Sequence, residues 1–484
     1  MKKGVYEIFK LLNISYKDKM EENLKEKLFN TRENGWDTVD TRKKEAIFSF
    51  TKDYMNYLNR AKTEREFIVE AVKMAKENGY EDINEFEDLK AGDKVFFVNR
   101  GKSMYLAVIG TENIENGLHI IGSHVDSPRL DLKPNPLCED TELAYFKTHY
   151  YGGIKKYQWT TIPLSLHGVI VKTNGEKITV NIGEDENDPI FTITDLLPHL
   201  AQEQMEKKLK NGIDGEDLRV LIGSIPYDDK EAKEKVKLNI LNILNQKYGI
   251  TEADLSSSEI EVIPAFKARS LGFDSSMVAA YGQDDKVCAY SSLAAMMTLE
   301  NVKNTAVCIL SDKEEIGSMG NTGMESHMFD FFISEILNKL KINRPNLLDK
   351  VFCYSKMLSS DVDAGFDPIY ASVSDKANAG FIGKGISLNK YTGARGKSGA
   401  SDANAEYVAW IRNLLEKNDI RYQIAELGKV DIGGGGTIAY ILANKGVDVI
   451  DCGVPVLSMH APYEVTSKFD IYSAYETYKA FWNE

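Results

Sequence analysis

The stretch from Ile120 to Pro136, I-I-G-S-H-V-D-S-P-R-L-D-L-K-P-N-P, ends an apolar run on His124 and places Asp126 two residues later. Where a strand turns into a loop, this spacing lets the imidazole face a metal ion while the carboxylate holds the other ring nitrogen. Such a carboxylate fixes the tautomer of a metal-bound histidine and raises its basicity. A histidine at a strand end can equally be hydrogen-bonded only. The metal-site interpretation therefore depends on further ligands along the chain.

Two adjacent glutamates follow a second apolar run. Residues 305–310 predict a buried strand, and S-D-K-E-E-I-G at 311–317 predicts the loop at its carboxyl end, which contains Glu314 and Glu315. That end is where open α/β sheets collect their ligands. Neighbouring glutamates point in different directions, so one can bind a metal ion while the other meets a water molecule. The alternative is a solvated acidic turn.

Three more potential ligands lie at the start of a predicted helix or the end of an apolar segment. Asp284, in Q-D-D-K at 283–286, precedes a predicted helix, and its alternative role is a helix N-cap. Asp361, in S-S-D-V-D at 359–363, follows a short apolar segment, and its alternative role is an Asx-type turn. His460, in S-M-H-A-P at 458–462, ends an extended apolar stretch.

Together, two histidines, two aspartates and a glutamate form a ligand set that suits zinc, manganese or cobalt. Five such ligands exceed the number that one tetrahedral zinc ion needs. The arrangement this favours is a pair of metal ions bridged by one carboxylate, with one histidine and one further carboxylate at each ion. Such a pair activates water and polarises a carbonyl group, so the protein must add a base that takes the proton.

The motifs H-V-D, Q-D-D-K, E-E-I-G, S-S-D-V-D and S-M-H-A-P, in this order, resemble the aspartyl aminopeptidase (aminopeptidase I) family of co-catalytic zinc metallopeptidases. The resemblance runs from about residue 122 to the C-terminus. It implies that His124 and His460 each bind one metal ion and that Asp284 bridges the two ions, with Asp285 as the alternative bridge. It also implies two ligands that complete the two coordination spheres, Glu315 and Asp361.

The resemblance implies roles for three further residues. Glu314 is expected to act as the general base, and Asp126 is expected to orient His124. His167, in T-I-P-L-S-L-H-G at 161–168, resembles a family histidine that stabilises the tetrahedral negative charge in the active site of a neighbouring subunit. The alternative for His167 is an ordinary histidine on a strand surface.

The implied activity is hydrolysis of the N-terminal residue of peptides with a free N-terminus. Water activated by two metal ions would lose a proton to Glu314 and attack the carbonyl, and the same glutamate would protonate the leaving amine. We expect two divalent ions, zinc first, with manganese or cobalt as alternatives. Family members that prefer acidic N-terminal residues carry a lysine where this chain has Asn389, flanked by Lys384 and Lys390. The preferred N-terminal residue is therefore left open.

Two other functional classes compete with this interpretation. A related two-metal deacylase or dipeptidase would use the same ligands for a different amide bond. A non-catalytic, self-assembling scaffold would carry only a vestigial site. All five ligand types are present together with Glu314, and this counts against the scaffold.

Composition is that of an ordinary globular enzyme, with 43% hydrophobic and 27% charged residues among 484. The net charge of -14 argues against nucleic acid and anionic membranes as partners, because both require basic patches. Charged residues interrupt the apolar positions that follow Met1, so a signal peptide is not expected. The five cysteines show no paired spacing, which favours free thiols and a cytoplasmic location.

Alternation of helices and strands after residue 284 predicts an α/β fold, a mixed sheet flanked by helices of the zinc-exopeptidase type. Residues up to about Tyr80 are predicted helical, and residues 94–109 a hairpin. Residues 1–129 and 274–484 are expected to form a discontinuous catalytic domain, with a β-rich domain inserted at 130–273. The resemblance implies that this insert makes dimer contacts and that the chain forms a tetrahedral dodecamer. Further elements are predicted as helices near 285–300, 329–340 and 402–417 and as strands near 305–310, 351–355 and 447–452.

Overall fold

A computed structural model of the protein describes Leu24, residues 27–393 and residues 395–484. The part of the predicted helical region before residue 24, and with it the start of the chain that was weighed as a signal peptide, lies outside the described residues. The helices in chain order are α1 (Thr41–Leu58), α2 (Glu64–Glu77), α3 (Gln202–Glu206), α4 (Lys235–Tyr248), α5 (Gln283–Met296), α6 (Met328–Lys339), α7 (Leu347–Cys353), α8 (Ala405–Lys417), α9 (Ala439–Ala443) and α10 (Lys468–Asn483).

The strands are distributed over three sheets. In chain order they are β1 (Glu81–Asp82), β2 (Lys94–Asn99), β3 (Ser103–Val108), β4 (His119–His124), β5 (Arg129–Asp140), β6 (Leu143–Tyr151), β7 (Leu164–Val171), β8 (Lys177–Ile182), β9 (Arg219–Gly223), β10 (Ser258–Pro264), β11 (Arg269–Leu271), β12 (Met277–Ala280), β13 (Ala306–Ser311), β14 (Lys356–Ser359), β15 (Asp363–Ala364), β16 (Ile386–Asn389), β17 (Tyr422–Ala425), β18 (Asp448–Gly453), β19 (Pro455–Leu457) and β20 (Glu464–Ser467).

The largest sheet has nine strands in the order β1-β2-β3-β13-β4-β14-β18-β16-β17. Its central strands β13, β4, β14 and β18 are parallel, whereas β3 and β16 run antiparallel to their neighbours β13 and β18. Successive residues of a strand point to opposite faces, so Cys308 packs with α5 and α10 on one side while Ile309 packs with α6 and α7 on the other. The predicted α/β fold with a mixed sheet flanked by helices is confirmed.

The parallel core of this sheet explains where polar residues collect. His124 is the last residue of β4, the two adjacent glutamates follow β13, and Asp361 follows β14. Parallel neighbours end at the same edge of a sheet, and ligands bind in the crevice outside those carboxyl ends. Three separate parts of the chain therefore deliver side chains to one place.

Two smaller sheets complete the fold. Strands of residues 129–264 form a six-stranded sheet in the order β8-β7-β10-β5-β6-β9, with an apolar core of its own around Trp159, Leu164 and Val262. The remaining five strands form a sheet in the order β11-β12-β20-β19-β15. Asp284 follows β12 of this sheet, and His460 lies between β19 and β20. The division of the chain into domains at 130 and 273 stays a prediction.

Most predicted elements lie within a few residues of observed ones, but one prediction was wrong. Val351 to Ser355 does not form a strand, because α7 extends to Cys353 and β14 begins at Lys356. Val351 and Phe352 are buried on the helix face that packs against the sheet. A short apolar run cannot distinguish a buried strand from a buried helical turn.

None of the helices in the described part of the chain combines the length and apolar character that a membrane crossing requires.

Candidate metal centre

The five side chains predicted as ligands converge at the carboxyl edge of the parallel strands. On one side of the cluster, His124 Nε2 lies 3.1 Å from Asp284 Oδ1 and 3.7 Å from Asp361 Oδ1. On the other side, His460 Nε2 lies 3.1 Å from Asp284 Oδ2 and 3.6 Å from Glu315 Oε2. The two carboxylate oxygens of Asp284 therefore face two different imidazoles, each with one further carboxylate.

Asp285 lies immediately beside this cluster. Its Oδ2 accepts a hydrogen bond from the backbone N–H of His124 at 3.2 Å. Side-chain atoms of His124, Asp285 and Asp361 also lie within 4.8 Å of one another, as do those of His124, Asp284 and Glu315. Asp285 thus stays close enough to count as an alternative ligand. Within the described part of the chain, however, only Asp284 is ion-paired with both imidazoles.

The cluster concentrates negative charge in a buried place. Burial alone would raise the pKa of Asp284, but hydrogen bonds from His124 and His460 hold it well below its usual range. Burial raises the pKa of Glu315 well above its usual range, and repulsion from Asp284 adds to this effect. Burial and nearby carboxylates raise the pKa of Asp361 as well. Carboxylates crowded in this way need cations to remain ionised.

The residues present fit divalent metal ions. Their donor atoms are imidazole nitrogens and carboxylate oxygens, which zinc, manganese and cobalt accept. Glu315 Oε1 and Asp285 Oδ1 are buried and have no hydrogen-bond partner among the described residues. A buried carboxylate oxygen without a partner is costly, so an unpaired oxygen inside a histidine and carboxylate cluster indicates a place for a cation. A site of this composition would hold one ion beside each histidine.

Glu314 lies at the edge of the cluster and lines the adjoining cavity. Its Oε2 is 3.9 Å from His124 Nε2, farther than the oxygens of Asp284 and Asp361. Burial raises the pKa of Glu314 to about 8, against the attraction of the His124 ring. A carboxylate with this tendency to accept a proton, beside rather than within the ligand set, can exchange protons with a water molecule.

Asp126 is fully buried directly behind the cluster. Its two carboxylate oxygens accept hydrogen bonds from the backbone N–H groups of Glu314 and Glu315, both at 3.2 Å. Its Oδ1 lies 3.4 Å from His124 Nδ1, while its backbone carbonyl oxygen lies closer, at 3.0 Å from the same nitrogen. Asp126 therefore contacts His124 mainly through its backbone carbonyl group, and its carboxylate holds the loop that contains Glu314 and Glu315.

Glu464 belongs to the site but was missed by the sequence analysis. Its Oε1 accepts a hydrogen bond from the backbone N–H of His460 at 2.8 Å, and its Oε2 accepts one from the backbone N–H of Asp284 at 3.0 Å. Burial and the negative charge of Asp284 raise the pKa of Glu464 to about 8. The available signal was its position four residues after His460, in S-M-H-A-P-Y-E.

His167 lies outside the cluster, buried on β7 of the six-stranded sheet. Its Nδ1 is 2.7 Å from Glu66 Oε1, and its Nε2 is 3.2 Å from Glu184 Oε1. Both ring nitrogens are thus engaged within the same chain, and hydrogen bonds to these glutamates raise the pKa of His167 despite its burial. A role in a neighbouring subunit stays a prediction, and it would require these contacts to open.

A cavity of about 500 Å3 opens beside the cluster, between Glu314 and the glycine-rich segment 434–436. Asn389 lines it, together with the apolar side chains of Leu427 and Met459. Lys384 instead donates from Nζ to the carbonyl oxygen of Arg32 at 2.7 Å. Lys390 lies 3.3 Å from Asp402 and also does not line the cavity.

The aminopeptidase I zinc metalloprotease (M18) family model matches residues 57–482. This chain belongs to that family. A probable M18 family aminopeptidase 1 from Clostridium acetobutylicum is 53% identical over 460 residues, covering 94% of this chain and 99% of the relative. An M18 family aminopeptidase structure from Thermotoga maritima superposes with a TM-score of 0.91 at 44% identity, covering 94% of this chain and 100% of that one.

A second M18 structure, aminopeptidase I from C. acetobutylicum, superposes with a TM-score of 0.89 at 51% identity and covers 94% of this chain and 100% of its own. The mApe1 dodecamer from S. cerevisiae shares the fold at a TM-score of 0.71 and 20% identity, covering 89% of this chain and 95% of its own. The predicted family and the prediction of a metallo-aminopeptidase are confirmed, because high identity extends over nearly the whole M18 fold. A metal cofactor is consistent with this zinc metalloprotease family and with the cluster.

Proposed function

We propose that this M18 aminopeptidase uses two divalent ions and that Glu314 is the general base. One ion would be held by His124, Asp284 and Asp361. The other would be held by His460, Glu315 and the second oxygen of Asp284. The observation that carries this proposal is the placement of the two Asp284 oxygens at 3.1 Å from two different imidazoles. Zinc is the first candidate for both ions, with manganese and cobalt as alternatives.

When bound, such ions would activate water and polarise the scissile carbonyl group. Glu314, as the carboxylate, then takes the proton from the attacking water, since it lies beside the ligands and lines the cavity. The same carboxyl group returns the proton to the leaving amine. Asp126 keeps Glu314 at the required distance by accepting the hydrogen bond from its backbone N–H.

The substrate in this proposal is a peptide with a free N-terminus, bound in the cavity beside the cluster. The α-amine is a good partner for the carboxylate-rich end of the cavity, whereas a blocked amine loses that interaction. This distinguishes an aminopeptidase from the related deacylase, and the length of accepted peptides distinguishes it from a dipeptidase.

The test uses amino-acid anilides with free and with acylated amines, each assayed with metal-free protein and after addition of zinc, manganese or cobalt. We expect turnover of the free-amine compounds only, and only with metal. Elemental analysis of the protein as isolated should give about two ions per chain. Cleavage of the blocked compounds alone would support a deacylase, and no turnover with any metal would support a non-catalytic scaffold.

Preference for the N-terminal residue should follow the lining of the cavity. Among the described residues that line it, none is a lysine or arginine. A buried acidic side chain without a cation is costly, so we expect leucine anilide to exceed glutamate anilide in kcat/KM by about 10- to 100-fold. Asn389→Lys should narrow this ratio, whereas Lys390→Ala should leave it unchanged. A wild-type preference for glutamate would contradict the expectation.

We also propose self-association to a homo-oligomer, with a dodecamer as the first candidate because mApe1, which shares the fold, forms one. The six-stranded sheet region supports contacts between copies, because apolar side chains are exposed along one segment of it. These are Ile190, Leu196, Leu197, Leu200, Met205 and Leu209. Residues 130–273 are therefore the proposed dimerisation domain. A cytoplasmic location stays a prediction.

A further inference from the structure

The end of β6 and the two glycines that follow it, Tyr151 to Gly153, pass beside the candidate metal centre, and Gly153 lines the adjoining cavity. These residues belong to the segment 130–273, which is proposed as an inserted domain, whereas every candidate ligand lies outside it. Tyr151 donates a hydrogen bond from its hydroxyl to Asp126 Oδ2 at 2.8 Å. Because the same carboxylate accepts the backbone N–H groups of Glu314 and Glu315, Tyr151 secures the group that holds the glutamate loop.

The ring of Tyr151 packs against the side chain of Arg129. The guanidinium carbon of Arg129 lies 3.8 Å from the centre of the Tyr151 ring, within the range of a cation–π contact. Arg129 is buried and ion-paired with Asp131 at 2.8 Å and with Glu261 at 3.3 Å. Burial raises the pKa of Tyr151, so its hydroxyl stays protonated and remains a donor to Asp126.

The second contact of this segment reaches the other histidine. The carbonyl oxygen of Gly153 lies 2.9 Å from His460 Nδ1, so it accepts a hydrogen bond when that nitrogen carries the proton. In the neutral ring the proton then lies on Nδ1, and Nε2, which is 3.1 Å from Asp284 Oδ2, is available to bind a metal ion. A backbone carbonyl in this position selects the tautomer and the ring orientation that a metal ligand needs.

The two glycines also leave room for the ligands. A Cβ atom on Gly153 would lie 3.2 Å from His460 Nδ1, and one on Gly152 would lie 3.3 Å from Glu315 Oε2. The backbone of Gly153 is not left-handed, so the histidine ring is the first obstacle that a side chain would meet. Absence of side chains at these two positions therefore keeps both ligands in place.

We propose that Tyr151, Gly152 and Gly153 form a positioning strap, by which the inserted segment sets the geometry of both metal sites. Tyr151 acts through Asp126 on the loop that carries Glu314 and Glu315. Gly153 acts on the ring of His460. This inference rests on the proposed two-metal function, since it assigns the strap a role toward those ions.

The test compares Tyr151→Phe and Gly153→Ala with two matched controls. Tyr150→Phe removes the hydroxyl of the neighbouring tyrosine, which is 44% exposed. Gly212→Ala adds a methyl group where the nearest atom is 3.5 Å away and the backbone is ordinary. Each purified full-length protein is titrated with zinc against a chelator, and the visible absorption spectrum is recorded after loading with cobalt.

We expect Tyr151→Phe and Gly153→Ala to bind zinc about 10- to 100-fold more weakly than wild type, the range that is typical when the contacts that orient metal ligands are disturbed. Gly153→Ala should also change the cobalt spectrum, because the imidazole is pushed from its position. Circular dichroism should stay unchanged, and both controls should match wild type in every measurement.

The strap alone would be overturned if wild type binds two ions and both strap variants show the zinc affinity and the cobalt spectrum of wild type. Wild-type protein that binds no metal would overturn the proposed function and the strap together. If Gly153→Ala fails to fold, Tyr151→Phe decides, since it removes one hydroxyl and keeps the ring on Arg129.

Discussion

The Glu314→Gln variant is expected to lose about 10²- to 10⁴-fold in kcat while its metal content stays at the wild-type value. The amide of glutamine is close in size to the carboxylate but cannot take a proton at neutral pH. Glu314 lies at the edge of the ligand set, 3.9 Å from His124 Nε2, so its replacement leaves the nearer carboxylates in place. Turnover of leucine anilide and elemental analysis on the same sample measure the two quantities.

The adjacent glutamate provides the control. Glu315→Gln changes the same functional group one residue later, but Glu315 Oε2 faces His460 Nε2 at 3.6 Å. We therefore expect this variant to lose metal as well as activity. Wild-type turnover in Glu314→Gln would refute Glu314 as the base. Loss of metal by that variant would indicate that Glu314 is a metal ligand instead.

Asp284→Asn should have the largest effect on the metal centre itself. Among the residues that the structure describes, Asp284 is the only carboxylate ion-paired with both His124 and His460, through one oxygen each. An amide keeps one oxygen and replaces the other with a donor, so at least one ion loses a ligand. We expect loss of one or both ions and a fall in kcat/KM of about 10⁴-fold or more, because both the metal-activated water and the base need that geometry.

Asp285→Asn is the matched control, since it alters the neighbouring residue that the sequence left open as the bridge. Asp285 accepts the backbone N–H of His124, so its variant should weaken metal binding without abolishing it. Elemental analysis, zinc titration and circular dichroism of both variants separate loss of a ligand from loss of the fold. Two tightly bound ions in Asp284→Asn and none in Asp285→Asn would reverse the assignment.

Much of the fold was predictable because its signals are local. The runs before His124 and Glu314 were identified as strands, since continuous apolar segments bounded by polar residues indicate buried parallel strands. The hairpin of residues 94–109 was also predicted, and the antiparallel pair β2 and β3 confirms it. The prediction of a strand at Val351 to Ser355 was wrong because five residues do not contain enough periodicity to distinguish a helical turn from a strand.

The supporting contacts of the site were harder to predict. Gly153 and His460 are 307 positions apart, and their contact runs through a backbone carbonyl that any residue would carry. Glu464 is close in sequence to His460 but reaches Asp284 across 180 positions. No residue type or spacing in the sequence predicts such hydrogen bonds. They depend on how the three sheets pack against one another, and this packing cannot be derived from a single sequence.

The sequence by itself determined the family, through the resemblance of its ordered motifs. It also determined the α/β class and the residue types that end each strand, because apolar runs and short-range periodicity are properties of the chain alone. Only the tertiary structure decided that Asp284 directs one oxygen to each imidazole, that His167 is enclosed by two glutamates of its own chain, and that Tyr151 donates to Asp126 beside the centre. Those arrangements arise when distant segments bury their apolar faces together, and the resulting packing sets distances of a few ångströms that no local pattern encodes.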